Sequence, residues 1–252
     1  MRPFLQLTLK EARQALGTAL VFTGILLAAL LYLISRLGIW PTGLVALFIS
    51  LLMGFVPFWA LWRTYYSLRQ EWTGDHMYLL LSLPVPGWYI TGSKLIVALL
   101  EMLLYTALLS GAALVVFFAG GGDLYVPSSL ISEPVFIATT LRVALLSLAV
   151  LFIGMIVVQF SHLASRLVSR FRGPLMIALV LVSTWVVTRG AGLLAPILSW
   201  LPEVPVHSIE FHDDFVSVAT VYLGIAPLAG ALIVSLGLFW LGSYLLERDV
   251  EL

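Results

Sequence analysis

The sequence runs to 252 residues, of which 61% are hydrophobic and 10% charged, and its thirteen basic and thirteen acidic side chains cancel. Soluble domains carry about a quarter charged residues, so a chain with a mean hydropathy of +1.07 cannot cover its surface for water. Balanced charge supplies no global field to hold nucleic acid, and the lack of any cysteine excludes disulfides, thiolate metal sites and thiol catalysis.

The bilayer is therefore the solvent, and crossing it takes about 20 mostly apolar residues. Ahead of the first such run, Phe4, Leu5, Leu9, Ala12 and Leu16 fall near one helical face, opposite Gln6, Lys10, Arg13 and Gln14. With Pro3 suited to a first turn, residues 3–14 read as an amphipathic helix on the membrane surface. Spans follow at about 15–34, 42–62, 95–119 and 135–160. The first is not expected to be a cleaved signal, since 31–36 (LYLISR) offers no small-x-small site.

A fifth span, 174–189, is the least regular, because Thr188, Arg189 and Gly190 interrupt it. Residues 191–201 are expected to form a short interfacial or re-entrant helix within an outer segment, 190–216. The sixth span is read as 217–246. In the outer segment, His207, Glu210, His212, Asp213 and Asp214 place imidazoles and carboxylates close together, as a metal would need; with no fixed spacing they read as a solvated loop. Lys and Arg mark alternate connections. Ten of the thirteen (Arg2, Lys10, Arg13, Arg63, Arg69, Lys94, Arg166, Arg170, Arg172, Arg248) share one side, leaving Arg36, Arg142 and Arg189 for the other. The positive-inside rule puts both termini in the cytoplasm.

Motifs for chemistry are scarce. There is no HExxH and no Gly-x-Ser-x-Gly. Gly87-Trp-Tyr-Ile-Thr-Gly92-Ser93-Lys94 differs from a Walker A loop in having Ser93 between its second glycine and its lysine. Among ionisable groups at depth, Glu101 lies seven residues after Lys94 on nearly the same helical face, which suggests an intramembrane ion pair involving Lys94 and Glu101 or a basic residue of a neighbouring helix. Between the second and third spans, the connection 63–94 opens with Arg63, Arg69, Gln70, Glu71, Asp75 and His76. Asp75 is placed to cap a short helix, 76–83, which Pro84 ends. Such a helix along the membrane surface would pass a push from a soluble partner to two spans.

Here the sequence resembles a family. Glu71, Gly74, the run Leu79-Leu80-Leu81-Ser82-Leu83-Pro84-Val85-Pro86 and the downstream Ser93-Lys94-Leu95 are similar to the signature of ABC transporter type-2 permeases. The layout is also similar, with an interfacial helix, six spans, both termini inside and an irregular outer segment. The resemblance implies an all-α integral membrane protein of type-2 ABC exporter-like fold, a single permease domain over 1–252 in the plasma membrane. It further implies a second permease copy or homologue and a cytoplasmic ABC ATPase as partners, with ATP and Mg on that ATPase and no cofactor in this chain. Glu71, Asp75, His76, Leu79, Leu80, Leu81, Leu83 and Pro84 would couple the two. The second and fifth spans would line the path, and Phe48, Phe55, Phe58, Trp59, Met176 and Trp185 there suggest an apolar or amphipathic cargo. The chain itself is not expected to be an enzyme. The alternatives are an intramembrane enzyme, which would need Glu101, Arg142 and Arg189 to converge, and a non-transporting membrane scaffold.

Overall fold

A computed structural model describes residues 2–73, 85–119, 134–167, 171–211 and 216–248. Its elements in order are α1 (Arg2–Ser35), α2 (Thr42–Thr73), α3 (Gly87–Ala119), α4 (Pro134–Ser165), α5 (Arg172–Leu194), the strands β1 (Glu203–Phe211) and β2 (Val216–Gly224), and α6 (Ala226–Arg248). All six helices are long and apolar enough to cross a membrane, which marks the chain as a multi-pass membrane protein. Their outer surfaces are strongly apolar: Leu20, Phe58, Phe118, Leu181 and Trp240 are each at least two-thirds exposed, as lipid contact requires.

The chain forms two compact units, Met1–Val126 with Gly242–Leu252, and Pro127–Leu241. In the first, α1 and α2 both pack on α3, and Leu7, Ala15, Leu26, Leu30 and Leu33 of α1 and Val45, Ile49, Val56, Ala60 and Leu68 of α2 are buried. A tight turn joins α1 to α2, and Gly38 within it has φ +86°, a conformation open to glycine at no steric cost. The last turns of α6 belong to this unit too. Ser243 Oγ lies 2.9 Å from Thr91 Oγ1, and the Gly87 N–H donates to Glu247 Oε1 at 2.6 Å. A carboxylate there caps the free amides that begin α3.

In the second unit α4 packs on α5, and α5 meets α6 at small residues. A Cβ on Gly190 would sit 2.7 Å from Val234 Cγ2, and one on Gly230 would sit 3.1 Å from the Cα and O of Ala191. Gly230 therefore serves packing inside the chain. The strands pair antiparallel, Glu203 with Gly224 through Phe211 with Val216, and Arg142 of α4 donates to the Pro205 carbonyl of β1 at 2.9 Å.

The structure differs from the expectations in four places. Residues 3–14 are not a separate surface helix but the opening turns of α1, because no proline or turn residue divides them from the span. The third helix starts at Gly87 and not near 95, so the Gly87–Lys94 stretch is helical and holds no phosphate-cradling loop. Arg189 does not end the fifth span: α5 continues to Leu194, since Gly190 is packed against Val234, and no helix covers 195–201. Finally, the apolar stretch from Ser217 belongs to β2, where Val216, Val218, Thr220 and Val221 favour extended backbone, and the sixth helix waits for Ala226-Pro227. The hairpin thus replaces part of an expected helix and places His207 and Glu210 on β1 rather than in a loop. His212, Asp213 and Asp214 lie outside the described residues.

Candidate functional site: a buried ion-pair network

The chemistry-bearing side chains of the first unit gather where the opening turns of α1, the closing turns of α2 and the opening turns of α3 meet. Leu7, Glu11 and Ala15 recur every four residues and so share one face, and that face is buried. Lys94 projects from α3 between two carboxylates, 2.8 Å from Glu11 Oε2 of α1 and 3.1 Å from Glu71 Oε1 of α2. Seven residues further along α3, about 10 Å, Glu101 accepts from Arg63 Nε at 3.0 and 3.1 Å. All five side chains are less than a tenth exposed.

Aromatic rings close both ends of this ionic stretch. On one side Phe4 meets Tyr89 and Trp88 at 5.3 and 6.1 Å between ring centres. On the other, Phe22 stacks on Trp59 at 3.9 Å and meets Tyr105 edge-on at 4.9 Å. Burial keeps the five charged side chains from bulk water, and a lower local dielectric strengthens each ion pair. The same exclusion makes any unpaired charge expensive.

Among the described residues the network holds two cations and three carboxylates. Glu11 uses one oxygen, and its other, Oε1, is buried without a hydrogen-bond partner. The arrangement is thus over-supplied with negative charge at its α1 edge. Among the described residues no group of three His, Cys, Asp or Glu side chains has metal-binding proximity.

Lys94 and Glu101 do not pair with each other. Both sit on α3, two turns apart; Lys94 reaches α1 and α2, and Glu101 reaches α2. Glu71 is held by Lys94. Asp75, His76, Leu79, Leu80, Leu81, Leu83 and Pro84 lie outside the described residues. Of the side chains nominated for a path, Phe55, Phe58 and Trp185 are outward and at least half exposed, whereas Trp59 is stacked on Phe22. The sequence reading missed Glu11 and Glu247. Glu11 was legible as a lone acid in a basic segment, on the Leu7–Ala15 stripe rather than the Leu5–Leu9–Leu16 stripe. Glu247 carried no such signal, because its partner is a backbone amide 160 residues away.

Comparison with protein families, curated proteins and solved structures finds no match to this chain.

Proposed function

We propose that the chain is the membrane-spanning permease subunit of an ABC transporter of the type-2 kind, in the plasma membrane with both termini cytoplasmic. It moves an apolar or amphipathic cargo using ATP hydrolysed by a separate cytoplasmic subunit. The observation that carries this reading is the pairing of Glu71 and Lys94 at 3.1 Å. These residues flank the stretch that resembles the permease signature, and Lys94 also binds Glu11. A push on that stretch would meet three helices already fastened together and would move them as a body. The six spanning helices and the one-sided distribution of basic residues support the same reading.

The test is purification of the tagged chain from its native membranes in lipid nanodiscs, with assay of Mg-dependent ATP hydrolysis. An ATPase subunit should co-purify, and alanine substitutions at Leu79 and Leu83 should lower its association or uncouple its hydrolysis from cargo movement. Absence of any ATPase partner, or full coupling in those variants, overturns the reading. Glu101, the carboxylate an intramembrane enzyme would use, is bound through both oxygens by Arg63, which favours a structural role for it.

A further inference from the structure

The turn between α1 and α2 carries a charge that its own surroundings in the chain do not answer. Between Arg13 and Arg63 the only charged residue is Arg36. The apolar run 15–34 before it is about 30 Å long, enough to cross the hydrocarbon. Arg36 therefore emerges at the membrane boundary opposite the ion-pair network. Among the described residues no carboxylate pairs with it, and its Nε is buried without a hydrogen-bond partner.

Local structure holds that guanidinium in place. The Arg36 carbonyl accepts from the amides of both Ile39 and Trp40 at 3.0 Å, a closure that Gly38 permits with its positive φ. The closure brings Trp40 back to Arg36, whose Cζ lies 5.8 Å from the centre of the Trp40 ring. On its other flank is Tyr32, one turn back along the chain, with its ring centre 4.8 Å from the same Cζ. Tyr32 and Trp40 meet edge-on at 6.2 Å, and Phe48 of α2 stands 6.2 Å from Trp40. Rings over a guanidinium attract its charge and leave the donors of its planar edge for an anion.

We propose that this turn binds the phosphate of an anionic phospholipid, with Arg36 as its fork and Tyr32 and Trp40 as its walls. A guanidinium keeps its charge in any protein setting. With no anion from the described residues it takes its counterion from outside, and at headgroup level, where Tyr and Trp settle, the bilayer offers phosphate. Planar forks and phosphate oxygens match in geometry. One guanidinium balances the single charge of a lipid phosphodiester, whereas free phosphate carries more and needs further donors. A choline or ethanolamine headgroup would bring a second cation toward Arg36, so a headgroup without one, such as glycerol, is favoured. Further into the bilayer Ile25 and Leu31 of α1 and Leu44 and Leu51 of α2 are exposed, an apolar surface on which the acyl chains of that lipid can lie. The site shares no residue with the ion-pair network and holds for any function of the chain.

The test is titration of the full-length protein in detergent with phosphatidylglycerol or phosphatidylcholine, with bound lipids counted by native mass spectrometry. The tightest site should take phosphatidylglycerol in preference to phosphatidylcholine. Arg36→Gln should weaken that site about ten- to a hundredfold. Arg36→Lys, which keeps the charge and loses the fork, should recover only part of the affinity, and Tyr32→Leu should weaken it with the charge unchanged. Arg189→Gln is the control: it removes a cation that also lies beside a ring, Trp185 at 6.0 Å, in the second unit, and should leave the site intact. Excess inorganic phosphate should not displace the lipid. Equal affinity for the two lipids overturns the proposal, as does tight binding that survives Arg36→Gln or falls equally in Arg189→Gln. Full affinity in Arg36→Lys would reduce the site to a point charge, and displacement by inorganic phosphate would make its ligand the free anion; either also overturns it.

Discussion

Arg63 Nε donates to both carboxylate oxygens of Glu101, at 3.0 and 3.1 Å, between helices α2 and α3. Both side chains are at most 9% exposed. A pair so enclosed is costly to half-remove, because the survivor keeps its charge and loses its counterion. Arg63→Ala or Glu101→Ala is expected to destabilise the first unit by about 3–5 kcal/mol. The double change Arg63→Met with Glu101→Leu, which removes both charges, should recover most of that loss. Thermal unfolding in detergent, followed by tryptophan fluorescence, checks the pattern; additive losses would contradict it.

Lys94 presents a sharper asymmetry. Its removal leaves Glu11 and Glu71 facing the same vacated space, two like charges in a water-poor site. Lys94→Met should therefore cost more than Glu11→Gln, which takes away a carboxylate already in excess. The expected order of stability is wild type, then Glu11→Gln close behind, then Glu71→Gln, then Lys94→Met, with the last lower by several kcal/mol. Adding Glu11→Gln to Lys94→Met should raise stability, since it removes one of the two facing charges. The measurement is the same unfolding midpoint across the series, and a destabilising Glu11→Gln in the Lys94→Met background would refute the charge count.

The ion-pair network shows which parts of this structure were readable from residue order. Length and apolar content give the six helices able to cross a bilayer, since 20 apolar residues admit little else there, but not where the third and sixth begin. That Glu101 and Lys94 needed partners was legible from the cost of charge at depth. Which partner each takes was not, because helix spacing puts Lys94 and Glu101 on one face while pairing is decided by how α1 and α2 register against α3. The hairpin was unreadable for a different reason. Val216 to Leu223 is apolar enough to pass for the start of a span, and only the pairing of Val216 with Phe211 and its successors separates it from α6. Likewise Gly190 next to Arg189 reads as a break until Val234 is found filling the space beside it.

That packing makes a prediction at the α5–α6 contact. A Cβ on Gly190 would sit 2.7 Å from Val234 Cγ2, a flexible side-chain tip, whereas one on Gly230 would meet Ala191 backbone at 3.1 Å. Gly190→Ala is expected to cost about 1–3 kcal/mol and to be largely rescued by Val234→Ala. Gly230→Ala faces backbone, which cannot turn aside, so no single side-chain trim should rescue it. Failure of Val234→Ala to restore the Gly190→Ala unfolding midpoint would show that the helices part rather than yield.

The start of α3 offers a final test, one that separates a cap from mere proximity. Glu247 Oε1 accepts from the Gly87 N–H at 2.6 Å, and a Cβ on Gly87 would lie 2.6 Å from the Ser243 carbonyl oxygen. Residue 87 must therefore be glycine for α6 to come close enough to cap α3 with its carboxylate. Glu247→Gln keeps an acceptor and loses the charge that favours a helix N-terminus, for a cost of about 0.3–1 kcal/mol. Glu247→Ala loses the acceptor as well and should cost about 1–2 kcal/mol. Gly87→Ala forces the two helices apart and so removes the cap together with the Thr91–Ser243 contact, at 2.9 Å. Its loss should exceed that of Glu247→Ala. In the Gly87→Ala background Glu247→Ala should then have little further effect. Hydrogen exchange at the first amides of α3 reads this directly: both variants should accelerate it, and equal additional acceleration by Glu247→Ala in the two backgrounds would mean that the carboxylate caps nothing.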